Sequence, residues 1–477
     1  MNLKSYIGFA GAFLIAIYIG LSLSEGSVGK ILPIFLVLTL ILGFVKYEGY
    51  LVVITIILCF IPGRSSFSSL GYYEGLGIVC ITYYLIKNTT KKKLYRNKKG
   101  ILALSGVILL GVPMIIHSIP YLNDDVGNGG KRLALISAVT IILCYLILNG
   151  EIDSSKFRYL PIAGVFVGLI YGGLDVILYA FPNASNIINM FYNEIGSSPN
   201  EGDSSYIIRI TGLREFGFYL GLLILCNLIA KKDSDRKVPT YIISILGLTI
   251  SIVAILLSGF RSYLLSIVTS ILITSIFIGR KAILTSLIIL IVIFTGLIEI
   301  QNRTESLPFA VQRAMSIFPA AWDRNVNEDA LGGIEWRKEL RSIYFENYFN
   351  SSTLLIGRGE VNEKSVDELS NYGVTNNFQF FVLRQMWHNG IISTLDYAGT
   401  IGLVGLFLCI LNGFYCFIVI FKYKSHSEQW MVWSLMAFFS TIPWFLYTGF
   451  YNYSFMSIAI LTSLLESARL QLNSNKI

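Results

Sequence analysis

Residues 398–421, Ala-Gly-Thr-Ile-Gly-Leu-Val-Gly-Leu-Phe-Leu-Cys-Ile-Leu-Asn-Gly-Phe-Tyr-Cys-Phe-Ile-Val-Ile-Phe, run for 24 positions without a charged side chain. At about 1.5 Å of rise per residue, a helix of this length outruns the roughly 30 Å hydrocarbon core of a bilayer, so the stretch reads as a membrane span. Two more apolar runs follow it, Met431 to Leu446 and Ser454 to Leu465. Before it lies the one long polar segment of the chain, Arg303 to Asp396, and before that come eleven further apolar runs, the first two being Ile7 to Leu23 and Ile31 to Val45. With 54% hydrophobic and 14% charged residues over 477 positions and a mean hydropathy of +0.65, the chain lies outside the soluble globular range. The expectation is an all-α, polytopic integral membrane protein with about 14 transmembrane helices. Eleven fall in residues 1–300, a large external loop with short helices occupies 301–396, and three helices fill 397–477. No small-residue cleavage site follows the first run, which starts just after Lys4, so it reads as a span rather than a signal peptide.

The six cysteines all sit inside apolar runs, where Cys behaves as a small hydrophobe, and their spacing supports neither a disulfide framework nor a metal site. The formal charge of +8 is dispersed between apolar segments and accompanies no nucleic-acid-binding module, so it predicts no nucleic-acid partner. Lys and Arg cluster after the fourth span (Lys87 to Lys99), the eighth (Lys231 to Lys237) and the tenth (Arg280, Lys281). The positive-inside rule makes these turns cytoplasmic, together with both termini, and the long loop external. On that topology the cytoplasmic side holds 16 Lys and 5 Arg, and the external side 4 Lys and 12 Arg. Either residue serves topogenesis, whereas planar two-pronged recognition of phosphate or carboxylate requires Arg. The competing reading is Arg that snorkels and pairs with acids at the interface.

Within the polar segment, Phe309 to Phe318 followed by Trp322 has the spacing of an interfacial helix, either a lid or a surface-lying element. After Gly332-Gly333, Ile334 to Phe349 reads as a helix with Arg337 and Arg341 one turn apart, able to clamp a diphosphate or to pair with Glu335, Glu339 and Glu346. A third helix, about Asn377 to His388, sets Arg384 and His388 one turn apart and stops at Asn389-Gly390. His388 is one of three histidines and stands as either a structural or a catalytic group. Arg209 and Arg214 precede the eighth span and Arg261 lies in the turn between the ninth and tenth; ionisable groups at a membrane edge point to function, with snorkelling the alternative. No HExxH, P-loop or GxSxG occurs. Asp233-Ser234-Asp235 has the form of a metal-binding DxD but sits in a short lysine-flanked turn with no Rossmann-like surroundings.

These residues, taken in order, resemble the bacterial O-antigen polymerase and O-antigen ligase superfamily. Arg209-Ile210-Thr211-Gly212 and Ser258-Gly259-Phe260-Arg261 precede membrane helices. Trp336-Arg337 and Gly357-Arg358-Gly359 lie in the loop, and His388-Asn389 leads into a span with Gly399, Gly402 and Gly405. Glu215-Phe216-Gly217 stands where the family has Asn-Pro-Asn. The resemblance implies a fold of the GT-C kind of lipid-linked glycosyltransferase in the bacterial inner membrane. It further implies metal-independent transfer of glycan from undecaprenyl diphosphate to an acceptor hydroxyl at the external face, with no cofactor. Arg209, Arg214 and Arg261 would then hold the diphosphate, His388 or alternatively Glu215 would be the base, and Arg337, Arg341 and Arg384 would touch donor or acceptor.

The implied partners are the lipid-linked glycan donor, the glycan acceptor, membrane lipids and a chain-length regulator protein. A polymerase, extending lipopolysaccharide or capsule chains, is favoured over a ligase because the polar segment carries 12 acidic against 9 basic residues, a poor match to an anionic lipid core. A lipid-linked oligosaccharide transporter is the reading from another class. It would need two repeated halves around a midplane site, which the sequence does not display.

Overall fold

The computed structural model describes residues 48–49, 51–58, 72–89, 100–118, 128–180, 212–230, 238–304, 307–349, 353–359, 382, 385, 387–448 and 451–474. Every regular element among them is helical. After a helical stretch at 51–58 come α1 (Tyr72–Thr89), α2 (Ile101–Ser118), α3 (Asn128–Leu148) and α4 (Leu160–Ala180). They are followed by α5 (Leu213–Ala230), α6 (Val238–Ser258), α7 (Arg261–Ile278) and α8 (Arg280–Thr304). Two helices lie in the polar segment, α9 (Phe309–Met315) and α10 (Arg324–Ile343), and three close the chain, α11 (Gly390–Lys422), α12 (Gln429–Thr448) and α13 (Tyr451–Ser474). The expected spans Ile7 to Leu23 and Ile31 to Val45, most of the Lys87 to Lys99 cluster and Asp233 to Asp235 lie outside the described residues.

Among the described residues, five helical stretches are long and apolar enough to cross a membrane: Ser154–Ile177, Arg261–Ile278, Leu287–Thr304, Gly390–Lys422 and Phe455–Ser474. Apolar side chains exposed on these stretches and on their neighbours give the surface of a chain solvated by lipid. On α6, Ile242, Ile243 and Ile245 are exposed, and on α8 Leu284, Ile291 and Val292 are more than half exposed. In water such surface costs about 25 cal/mol per Å², and in hydrocarbon that penalty disappears. Some of the closest helix contacts inside the bundle are made by small residues. A Cβ on Gly405 of α11 would meet Gly106 O of α2 at 2.7 Å, so the backbones touch as they do in close-packed membrane helices. Hydroxyls join α7 to α12: Ser266 Oγ donates to Ser440 O at 2.7 Å and Thr274 Oγ1 to Met436 Sδ at 3.2 Å. This register makes the two helices antiparallel.

The contacts sort the helix termini into two ends. At one end, Tyr84 and Lys87 of α1 bind Glu48, Phe157 meets Trp430, and Lys424 Nζ donates to Phe277 O at the C-terminus of α7. At the other, His117 of α2 meets Ile356 O, Gly259 faces Ala310, and Gly390 lies under the Phe445 ring of α12. The second end therefore gathers the start of α7 and of α11 and everything described between α8 and α11.

Three expectations for the polar segment are corrected. α10 starts at Arg324 rather than after Gly332-Gly333, because Asp323 accepts from Asn325 N and caps it; the glycines lie inside the helix, where each costs only about 1 kcal/mol. Asn389 does not stop a helix that ends on His388. Its side chain accepts from Ile391 N and Ile392 N, which makes it the N-cap of α11. The final long span thus begins at Gly390, inside the segment read as loop, and it is broken at Gly399.

Candidate functional site

Two helix N-termini at the second end carry arginine. Arg261 is the first residue of α7, and Arg214 is the second of α5. First-turn N–H groups concentrate about half a positive charge, so a cation there is disfavoured and an anion is favoured. Phe260, the N-cap of α7, makes no side-chain cap bond. Glu215, buried, accepts from Arg214 Nε at 2.5 Å. The Arg214 guanidinium lies 4.3 Å from the Phe260 ring centroid, and Tyr263 Oη reaches Glu215 Oε1 at 3.5 Å. Arg261 Nε donates to Arg313 O at 3.0 Å, next to the end of α9. Each guanidinium is thus held by its Nε edge. Asp175 of α4 accepts from Gly212 N and ties the start of α5 to its neighbour.

The stretch expected to be a lid or a surface-lying helix packs one face against the end of the bundle. α9 runs only from Phe309 to Met315, with Ala310, Val311, Ala314 and Met315 buried, and Trp322 is buried beside it. Gln312 fixes it by donating to Leu307 O at 2.8 Å and accepting from Asp323 N at 2.9 Å. The turn at Gly259, φ +72°, packs against it at Ala310.

The second part of the site is built on the break in α11. With Gly399 at φ 63° and ψ −160°, the N–H groups of Thr400 and Ile401 lose their helical acceptors and donate to Leu354 O and Leu355 O at 2.9 and 3.1 Å. The Asp396 carbonyl, released by the same break, accepts from Arg358 N at 2.6 Å. The turn 353–359 thereby satisfies the broken helix, as any backbone away from water requires. Only glycine suits both sides of this junction: a Cβ on Gly399 would sit 2.3 Å from Leu355 O, and one on Gly357, φ +77°, would sit 2.6 Å from Asp396 O.

The Asp396 carboxylate, 0% exposed, is the centre of this junction. Arg358 grips it with two prongs, Nε to Oδ1 at 2.5 Å and Nη2 to Oδ2 at 2.8 Å. Gln385 Nε2 and Trp387 Nε1 add bonds to Oδ2 at 2.8 and 2.7 Å. The Arg358 guanidinium lies 3.9 Å from the Tyr348 ring centroid. His117 Nε2 meets Ile356 O at 2.8 Å, and its ring lies against Gly359. Gln385 and His388 both have positive φ, 54° and 46°, each costing about 1–2 kcal/mol for a side-chain-bearing residue. That cost is offset by the bonds Gln385 and Trp387 make. Trp387 enters the cluster, and the His388 ring lies against Trp336 of α10 with ring centroids 4.8 Å apart. Burial, and then the nearby Arg337 guanidinium, pull the His388 pKa down to about 4, so the imidazole is neutral at pH 7.

Of the residues singled out in the sequence, Arg214, Glu215 and Arg261 come together at the α5 and α7 termini, and His388 with Arg337 beside Trp336. Arg337 Nη1 donates to Gly333 O at 3.3 Å, whereas Arg341 is exposed. Arg209 and Arg384 lie outside the described residues. Asp396, Arg313, His117 and Gln385 were not predicted. The one sequence signal for Asp396 was an acid three residues before a glycine at the mouth of an apolar run. Among the described residues no three His, Cys, Asp or Glu side chains converge as metal ligands. No family model matches the chain, and no curated protein matches it.

Proposed function

We propose that the chain is a polysaccharide polymerase of the external face of a bacterial cytoplasmic membrane, with 14 spans, cytoplasmic termini and a fold of the GT-C kind. It moves glycan from undecaprenyl diphosphate onto a second lipid-linked glycan. The observation that carries this reading is the pair of arginines at helix N-termini, Arg214 and Arg261, at the same end of an apolar bundle as a buried neutral imidazole. Both the helix ends and the guanidinium groups favour an anion at the membrane edge, where the diphosphate of a polyprenyl lipid lies. The acceptor hydroxyl attacks the anomeric carbon of the donor, the bond from that carbon to the diphosphate oxygen breaks, and the hydroxyl proton passes to His388. The leaving diphosphate gains charge as this happens, and preorganised guanidinium groups stabilise that change. A pKa of about 4, set first by burial and then by Arg337, makes His388 a weak base on its own, and an arriving anionic donor offsets the Arg337 part of that shift. Glu215, committed to Arg214, orients that guanidinium and is the second choice of base.

The test is incubation of the purified protein with lipid-diphosphate glycan. Release of free undecaprenyl diphosphate with growth of a lipid-linked ladder supports the reading. Release only when a lipid core is supplied makes the protein a ligase. Uptake across sealed vesicles without release makes it a transporter.

A further inference from the structure

We propose that the buried Arg358–Asp396 ion pair, through Gln385 and Trp387, is the device that positions His388. The inference rests on His388 being the base, yet its geometric half can be read without any turnover. Asp396 lies eight residues beyond His388 in sequence, and its carboxylate binds side chains from two of the three positions just before that histidine, Gln385 and Trp387. Gln385 also donates to Gly359 O at 2.8 Å, joining the corner to the turn that carries Arg358. Arg358 in turn sits over the Tyr348 ring and within 5.9 Å of the Trp387 ring centroid. The turn itself abuts His117 at the end of α2. Two separate pieces of chain therefore meet on the Asp396 carboxylate, and the residue that follows this knot directly in the chain is His388.

A desolvated ion pair is a poor device for stability alone, because apolar side chains of the same volume serve as well or better. It does fix geometry, since two-pronged Arg–carboxylate bonding tolerates little rotation. Here the fixed geometry is a corner with two left-handed residues, a conformation that relaxes unless the surroundings hold it. With the carboxylate in place, the imidazole lies against the Trp336 ring with both ring nitrogens shielded from solvent. When the carboxylate is lost, the corner is free to relax toward negative φ, and the ring swings out of that contact.

The experiment uses the full chain in lipid nanodiscs, with Asp396→Asn and Trp387→Phe. Carbethoxylation of each histidine is followed by peptide mass spectrometry, His426 at the opposite end serving as the internal standard, and kcat and KM are measured with lipid-diphosphate glycan. The expected result for Asp396→Asn is a severalfold faster modification of His388, an unchanged rate at His426, and a fall in kcat of about 10–100-fold with KM little changed. Trp387→Phe, which keeps the ion pair and removes one N–H, shifts both in the same direction by less, and carries the test alone if Asp396→Asn does not fold. Unchanged His388 reactivity in the folded variants overturns the proposal, whether or not kcat falls. Faster modification of His388 in a protein that transfers no glycan in any form upholds the positioning and removes His388 as the base.

Discussion

The cations at the two ends of the bundle stand mostly at opposite helix poles, with Arg280 at the start of α8 as the exception at the first end. At the lysine-bearing end, Lys87 lies in the last turn of α1 and bonds Glu48 at 2.8 Å. Lys424 donates to a terminal carbonyl of α7, and Arg469, late in α13, is paired with buried Glu466 at 2.6 Å. Each of these cations sits at the negative pole of a helix or against its own acid, and the arrangement is satisfied within the chain. At the other end, Arg214 and Arg261 occupy positive poles. There a cation adds to the helix field, and it is offset in part by Glu215 on Arg214 and by the Arg313 carbonyl on Arg261. The first pattern stabilises a fold, whereas the second stores a field that an anion can use. The same contrast holds for the backbone: among the described helices longer than one turn, α11 is the one recorded with non-helical φ/ψ inside it, and its break lies near the arginine-bearing end.

The largest expected effect falls on His388. His388→Ala should lower turnover by about 10²–10⁴ with donor binding little changed; if Glu215→Gln is the dead variant and His388→Ala remains active, the two exchange roles. Next is Arg261→Lys, which keeps charge but loses the planar fork, and should reduce kcat by about 10²–10³. Lys424→Arg at the opposite end should leave kcat near wild type. Equal losses at both ends would dissolve the distinction between them. Gly399→Ala drives a methyl into the Leu355 carbonyl at a left-handed position and should cost on the order of 3 kcal/mol, read as a fall of several degrees in Tm.

A smaller effect concerns pH. The His388 pKa is depressed from the usual histidine value to about 4, so the unfolded chain takes up the proton first as pH falls. The stability contributed by the neutral ring is complete above about pH 6.5 and lost as pH falls through about 4. Comparison of melting curves of the wild type and His388→Gln should show their difference shrinking across that window. A constant difference would mean that the ring titrates alike in both states. The smallest effect is expected at Arg324, whose i,i+4 pair with Glu328 is exposed; Arg324→Ala should leave Tm and kcat unchanged, because water and salt screen such a pair.

Much of the bundle was legible because a membrane span is written in consecutive residues. The 24 uncharged positions ending at Phe421 announced α11, and Arg at helix edges announced Arg214 and Arg261. The corner at His388 was misread as a helix end because Asn389-Gly390 stops a helix as readily as it caps the next one, and local spacing does not distinguish the two. Asp396 was taken for the edge of a polar segment because nothing adjacent to it hinted at its partners.

Composition and periodicity alone therefore determined that the chain is helical, apolar and arginine-biased in its long polar segment, since each of those properties is carried by neighbouring residues on one helix. Which polar groups meet was decided only by the tertiary structure. Arg358 reaches Asp396 across 38 positions and His117 reaches Ile356 across 239. A buried charge takes whatever donor the packed helices bring to it, and no one-dimensional pattern records that meeting.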